Sequence, residues 1–236
     1  MLLIPAIDLR GGNCVRLEQG DFERDTRYSA DPLEVARRFE QSGATWLHLV
    51  DLDGAREGEP RHLRTLEQIA GATALKVEFG GGLRTFASVE RALAAGAARI
   101  VLGTAALESE DLLARVIERF PSSIAVGIDA RNGLASIRGW VETSTRRAID
   151  VAVDVVSAGV RRIIYTDIAT DGMLSGPNVD GLQQIIAAVP VAVVASGGIA
   201  TEAHLEAAAA AGAEAAIVGR ALYTGALALS ALQRWR

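Results

Sequence analysis

Two aspartates close apolar runs in this chain: Asp8 ends "LLIPAID" and Asp129 ends "SIAVGID". A carboxylate at the end of a buried strand can take or give a proton, and two carboxylates in different surroundings can divide those tasks. A strand-end aspartate is equally a helix cap or turn former; the equivalence of the two positions is what favours chemistry. "YTDIATDG" adds Thr166, Asp167 and Asp171. Its counterpart "LVDLDG" carries Val50, Asp51 and Asp53, so the Thr166 hydroxyl belongs to one copy only.

The stretch "KVEFGGGLRT" runs three consecutive glycines into Arg84. Such a run sacrifices chain entropy unless the backbone must turn sharply or approach something closely. "ASGGIAT" repeats the pattern, and each copy is followed by a second glycine loop, Gly103-Thr104 and Gly219-Arg220. Glycine turns that open onto helix N-termini bind phosphate through backbone N–H groups without net positive charge. The candidate phosphate and substrate contacts are therefore Gly81, Gly82, Arg84, Gly103 and Thr104 at one end. Gly176, Ser196, Gly197, Gly198, Gly219 and Arg220 form the other. An elongated ligand with a phosphate at each end and acid/base chemistry between them is the expectation.

The chain has 236 residues, half of them apolar, and a net charge of −5. It contains no basic run, which argues against a nucleic-acid surface. The single cysteine, Cys14, excludes an internal disulfide and lacks the neighbours of a nucleophile. Three scattered histidines give no zinc spacing, so metal-free chemistry is expected. His48, inside "WLHLVDL", reads as a hydrogen-bonded core or mouth residue, with a substrate contact as the alternative. His62 and His204 read as surface residues. Trp140 either packs the rim or stacks on a planar ring. No apolar run is long enough to span a membrane, and a soluble, cytoplasmic monomer is expected.

Eight runs rich in Val, Ile and Leu could place these groups: "LLIPAID", "TWLHLVDL", "ALKVEF", "ARIVLG", "SIAVGID", "RRIIYTD", "VAVVAS" and "EAAIVG". Helix-like segments separate them, among them "ADPLEVARRFEQSG" and "TFASVERALAAG". Strands apolar on both faces that alternate with helices indicate a helix-covered parallel sheet. At this length the pattern fits an α/β fold of the (β/α)8 TIM-barrel type, with an open doubly wound sheet as the alternative. "FGGGLRT", "IVLGTAAL" and "GATWLHLVDLDG" each align with a second-half segment at one shift of 116 residues. The reading is one domain, 1–236, of two fused half-barrels covering approximately 1–120 and 121–236. Asp8 and Asp129 then face each other across the carboxyl end of the barrel, where function sits in this fold.

Taken together, "IPAIDLRGGNCVRL", "LHLVDLDGA", "FGGGLRT", "GIDARNG", "GWVETS", "IIYTDIATDGMLSGPN", "ASGGIAT" and "VGRALY" resemble the ProFAR isomerase family of histidine biosynthesis. The resemblance runs from Met1 to Tyr223. It implies an Amadori rearrangement of the aminoaldose ProFAR to the aminoketose PRFAR, with no cofactor. Asp8 would remove the proton at ribose C2, Asp129 would donate one, and Thr166 and Asp171 would support these steps, with Asp171 rather than Asp129 as the acid in some members. Two departures stand near the site: Met173 where members often have threonine, and "VEFGGGLR" for the commoner "QVGGGIR". The alternatives are a relative that also converts phosphoribosylanthranilate, the sister cyclase, and a non-catalytic sensor of phosphate ligands.

Overall fold

In the first half of the chain, β1 (Leu2–Arg10) leads into a hairpin of β2 (Asn13–Glu18) and β3 (Asp21–Ser29). There follow α1 (Pro32–Gln41), β4 (Trp46–Asp51), α2 (Leu52–Glu57), α3 (Leu63–Ala72), β5 (Lys76–Gly80) and α4 (Phe86–Ala94). β6 (Ala97–Leu102), α5 (Thr104–Glu108) and α6 (Glu110–Arg119) complete it. The second half opens the same way, with β7 (Ile124–Arg131), a hairpin of β8 (Leu134–Ile137) and β9 (Glu142–Arg147), α7 (Ala148–Ser157) and β10 (Arg162–Asp167). α8 (Val179–Ala188), β11 (Ala192–Ser196), α9 (Glu202–Ala210), β12 (Ala215–Val218), α10 (Arg220–Thr224) and α11 (Ala231–Arg234) follow. The computed structural model of the chain describes residues 1–18, 21–137, 140 and 142–236; residues 16–18, 21–25, 104 and 107 are described by backbone alone.

β1 pairs in parallel with β4 on one side and β12 on the other. The ladder continues through β5, β6, β7, β10 and β11 until β11 meets β12, closing an eight-stranded parallel barrel. All eight apolar runs are barrel strands, and the doubly wound alternative falls because an open sheet has edges whereas this one closes.

Alternation along each strand divides the apolar residues between two compartments. Ile4, Ala6, Ala125, Ile164, Val194, Ala215 and Ile217 fill the barrel. Leu3, Ile7, Leu47, Leu49, Val77 and Phe79 point outward, into the larger core shared with the helices. Burial of such side chains contributes about 1.5–3 kcal/mol each relative to exposure. The helices turn back onto the barrel at defined caps. Asp31 accepts from the N–H groups of Leu33 and Glu34 to start α1, with Pro32 in the first turn. Thr85 and Thr201 cap α4 and α9 directly after the two glycine loops.

The two hairpins were not expected from the sequence. β2 extends the ladder from β1 and β8 extends it from β7, so each rises beyond the barrel at its carboxyl end. β9 is mostly exposed, so its polar residues show no buried face and read as loop. The interval from Asp8 to α1 exceeds that from Asp129 to α7 by five residues, so the excursion through the first hairpin is the longer one.

Candidate functional site

Barrel closure sets Asp8 beside Val50, Val50 beside Gly80, and Gly80 beside Val101. The second half matches this register with Asp129, Thr166, Ser196 and Ile217. These two rows ring the mouth of a cavity of about 240 Å³, whose wall includes Asp8, His48, Asp129, Trp140, Thr166 and Asp171. Gly81, Gly82, Arg84 and Gly103 bound it on one side and Ser196 on the other. A smaller recess lies between Gly197, Gly198, Gly219 and Arg220, and shares Asp171 with the main cavity. Nearly every residue singled out by sequence is brought to this one end. Only the backbone of Thr104 is described, at the start of α5, so its side chain lies outside the description.

The glycines have a neighbour the sequence did not reveal. A Cβ on Gly81, at φ +110°, would stand 2.1 Å from the Asp51 carbonyl oxygen. One on Gly198, at φ +75°, would stand 2.1 Å from that of Gly176. Each glycine turn is therefore packed on the loop of the preceding βα unit, and only a residue without a side chain fits. Gly176 donates its N–H to the Gly198 carbonyl, which places it behind the second turn. Arg84 is exposed, donates from Nη2 to the Ala55 carbonyl at 3.0 Å, and reaches the cavity wall. Arg220 donates to the Gly172 carbonyl in the loop after β10.

Asp129 touches the cavity but is surrounded by protein, and burial pushes its carboxyl above the usual carboxylate range. Hydrogen bonds from the Trp140 indole and the Thr166 hydroxyl oppose that rise, and the charge of Asp171 adds to it. Trp140 reaches Asp129 from a left-handed backbone at φ 71°, a conformation that costs roughly 1–2 kcal/mol outside glycine. Asp8, Thr166 and Asp171 are almost fully buried, at 8%, 7% and 4% exposure. Such a site can hold one carboxyl protonated while another serves as base.

Asp51 and Asp167, at twin positions, do structural work instead. Asp51 accepts from the N–H groups of Gly54, Arg61 and His62; Asp167 accepts from the Ala169 N–H and the Asn178 amide. Asp53, in α2, accepts from the Gly11 N–H and bonds the His62 ring at 2.7 Å, which ties the turn between β1 and β2 to the start of α3. Asp51, Asp53 and His62 could together offer atoms to a cation, but these oxygens already accept from protein donors. The surface reading of His62 and His204 is corrected. His62 is half-buried in that staple, and His204 accepts the Ala200 N–H on Nδ1 while packing against Gly176. Cys14 is fully buried, and burial, reinforced by Asp31 and Asp8, pushes its thiol up to about 12; it is no nucleophile.

Sequence reasoning singled out His48 as hydrogen-bonded but missed its partners on the floor of the site. His48 Nδ1 lies 2.7 Å from Glu78 Oε1, and Arg99 Nη1 lies 2.7 Å from Glu78 Oε2. The Arg99 guanidinium stacks 4.1 Å from the Trp46 ring centre. Burial works against the Glu78 charge, yet the bonds from His48 and Arg99 hold its carboxyl below the usual range. Ser136, cross-strand from Asp129, has a buried hydroxyl without a hydrogen-bond partner among the described residues. The inward face of Glu78 and Arg99 follows from strand alternation, a signal hidden because both lie in apolar runs.

Residues 2–228 match the family model described as histidine biosynthesis protein. An isomerase of Roseiflexus sp. (strain RS-1) is 50% identical over 230 residues, covering 98% of this chain and 97% of its own. Its name describes an imidazole-4-carboxamide that carries two phosphoribosyl groups. The namesake enzyme of Chloroflexus aurantiacus is also 50% identical, over 98% of this chain and 95% of its own. That of Dehalococcoides mccartyi (strain CBDB1) is 46% identical, over 96% and 93%. With likeness of this extent laid over a barrel whose two glycine turns and buried carboxylates meet at one mouth, the chain belongs to the histidine biosynthesis protein family, among its isomerases.

Proposed function

We propose that this isomerase converts the aminoaldose ProFAR to the aminoketose PRFAR by an Amadori rearrangement. Asp129 gives a proton to the ribose ring oxygen as the C1–O bond breaks and the exocyclic nitrogen forms a C1=N bond. Asp8 takes the proton from C2, and the enolamine that results becomes a ketone at C2 as C1 gains a proton. C1 is reduced as C2 is oxidised, so no external oxidant, metal or redox cofactor is required. Thr166 and Asp171 tune the acid. The observation that carries this reading is the pair of carboxylates at equivalent positions of β1 and β7 on one cavity, with Asp129 raised by burial and by Asp171.

One phosphate lies at the turn of Gly81 and Gly82 with Arg84, Gly103 and Thr104. The other lies in the recess of Ser196, Gly197, Gly198, Gly219 and Arg220, with Gly176 bracing Gly198 from behind. The opening of α5 and α10 directly after Gly103 and Gly219 supports this, as do the two phosphoribosyl groups in the relatives' name. Matching registers in residues 1–120 and 121–236 support a single domain of two half-barrels. The enzyme acts as a cytoplasmic monomer, since one chain supplies every group the reaction needs. Among the described residues no helix is long and apolar enough to cross a membrane. The test is to offer purified protein ProFAR and phosphoribosylanthranilate separately and follow turnover. Conversion of ProFAR alone is expected, conversion of both makes the enzyme bifunctional, and conversion of neither overturns the proposal.

A further inference from the structure

His48, Glu78 and Arg99 are lateral neighbours on β4, β5 and β6, one layer below the row that begins at Asp8. Their counterparts at the repeat shift of 116 residues are Ile164, Val194 and Ala215, all part of the apolar barrel filling. The floor of the cavity is therefore polar on one side only. Folding did not require this, because the second half builds the same layer from hydrocarbon, and a buried ion pair is seldom a net gain over apolar residues.

Glu78 is fully buried and spans two donors, its Oε2 on Arg99 and its Oε1 on His48. An ionised carboxylate only accepts, so the 2.7 Å contact at Nδ1 requires the His48 proton to sit on that nitrogen. In the neutral ring Nε2 then carries the lone pair. No hydrogen bond joins Nε2 to the described residues, and His48 lines the cavity with 13% of its side chain exposed. We propose that His48 is a substrate-contacting residue, with Nε2 accepting a hydroxyl of the sugar, and that Glu78, anchored by Arg99, is the positioning residue that fixes its tautomer. This role rests on the isomerase reading given above.

The Glu78→Gln variant separates positioning from packing because the shapes are alike. Arg99 has only donors to offer, so it draws the amide oxygen and leaves the amide NH2 facing His48 Nδ1. The ring must then carry its proton on Nε2. Long-range 1H–15N spectra of histidine-labelled protein, assigned with His48→Asn, read the tautomer directly. The expected results are an Nδ1–H tautomer in the native protein, an Nε2–H tautomer in Glu78→Gln, and a shift of the native Nε2 signal when PRFAR binds. A fall in kcat of about ten- to a hundred-fold, with KM changed far less, is expected for Glu78→Gln and His48→Asn. His48→Asn leaves the Glu78–Arg99 pair intact and carries the kinetic test if Glu78→Gln does not fold. An unchanged tautomer in Glu78→Gln, a native Nε2 signal indifferent to bound PRFAR, or native kcat in His48→Asn overturns the proposal. Native protein that neither binds nor turns over these bisphosphates refutes the isomerase reading instead, and the substrate contact with it; the tautomer assignment is judged by the spectra alone.

Discussion

Asp8 and Asp129 occupy equivalent strand positions, and what separates them is company: Asp129 has Trp140, Thr166 and the charge of Asp171 around it. Replacing either carboxylate with its amide keeps the shape and removes the proton transfer. Asp8→Asn and Asp129→Asn should each lower kcat by about 10²- to 10⁴-fold, measured by steady-state turnover of ProFAR, with bisphosphate affinity preserved. Stability should move the other way for Asp129. Its folded pKa lies above the unfolded one, so its favourable contribution is complete below the unfolded pKa and disappears as pH rises through the folded value. Near neutral pH this carboxyl burdens the fold, through its buried charge or through the proton it must take up. Asp129→Asn should raise Tm at pH 7 by a few degrees, of order 2–4 °C per kcal/mol relieved for a chain of this size, and the gain should vanish at acid pH. A variant that melts at or below the native temperature at pH 7 removes burial as the cause.

Among the connecting elements, the glycine turns are held by packing as much as by conformation. Gly198→Ala meets both a left-handed backbone and the Gly176 carbonyl, so the turn must move. The expected cost is about 1–3 kcal/mol in stability, together with weaker bisphosphate binding by calorimetry. Native affinity in this variant would separate the turn from the phosphate. Gly71 provides the contrast: it lies in α3, and a Cβ there meets nothing within 4 Å. Gly71→Ala should stabilise the chain by about 0.4–1 kcal/mol in chemical denaturation without touching turnover. Both residues read simply as glycine in the sequence. Only the neighbouring loop distinguishes one that is obligatory from one that is replaceable.

Across the whole barrel, the Glu78–Arg99 pair shows how closure assigns meaning to charged residues inside apolar strands. Glu78 has its folded carboxyl lowered, so it stabilises the fold above its unfolded pKa and loses that contribution as pH falls through the folded value. Arg99→Met strands the carboxylate, and the loss should be about 3–5 kcal/mol near neutral pH, shrinking as acid protonates Glu78. Denaturation midpoints at two pH values check this, and equal losses at both would contradict it. By itself the sequence determined the eight strands, their helical cover, the duplicated glycine turns and the paired carboxylates Asp8 and Asp129. Those features follow from local periodicity and from a repeat that any single chain displays. Tertiary structure alone decided that His48, Glu78 and Arg99 meet, that Trp140 reaches Asp129, and that two polar segments pair as hairpins above the mouth. The contacts of the site join residues 11 to 30 positions apart, in Asp129–Trp140, Glu78–Arg99 and His48–Glu78. They depend on the register in which the barrel closes, which no local pattern encodes.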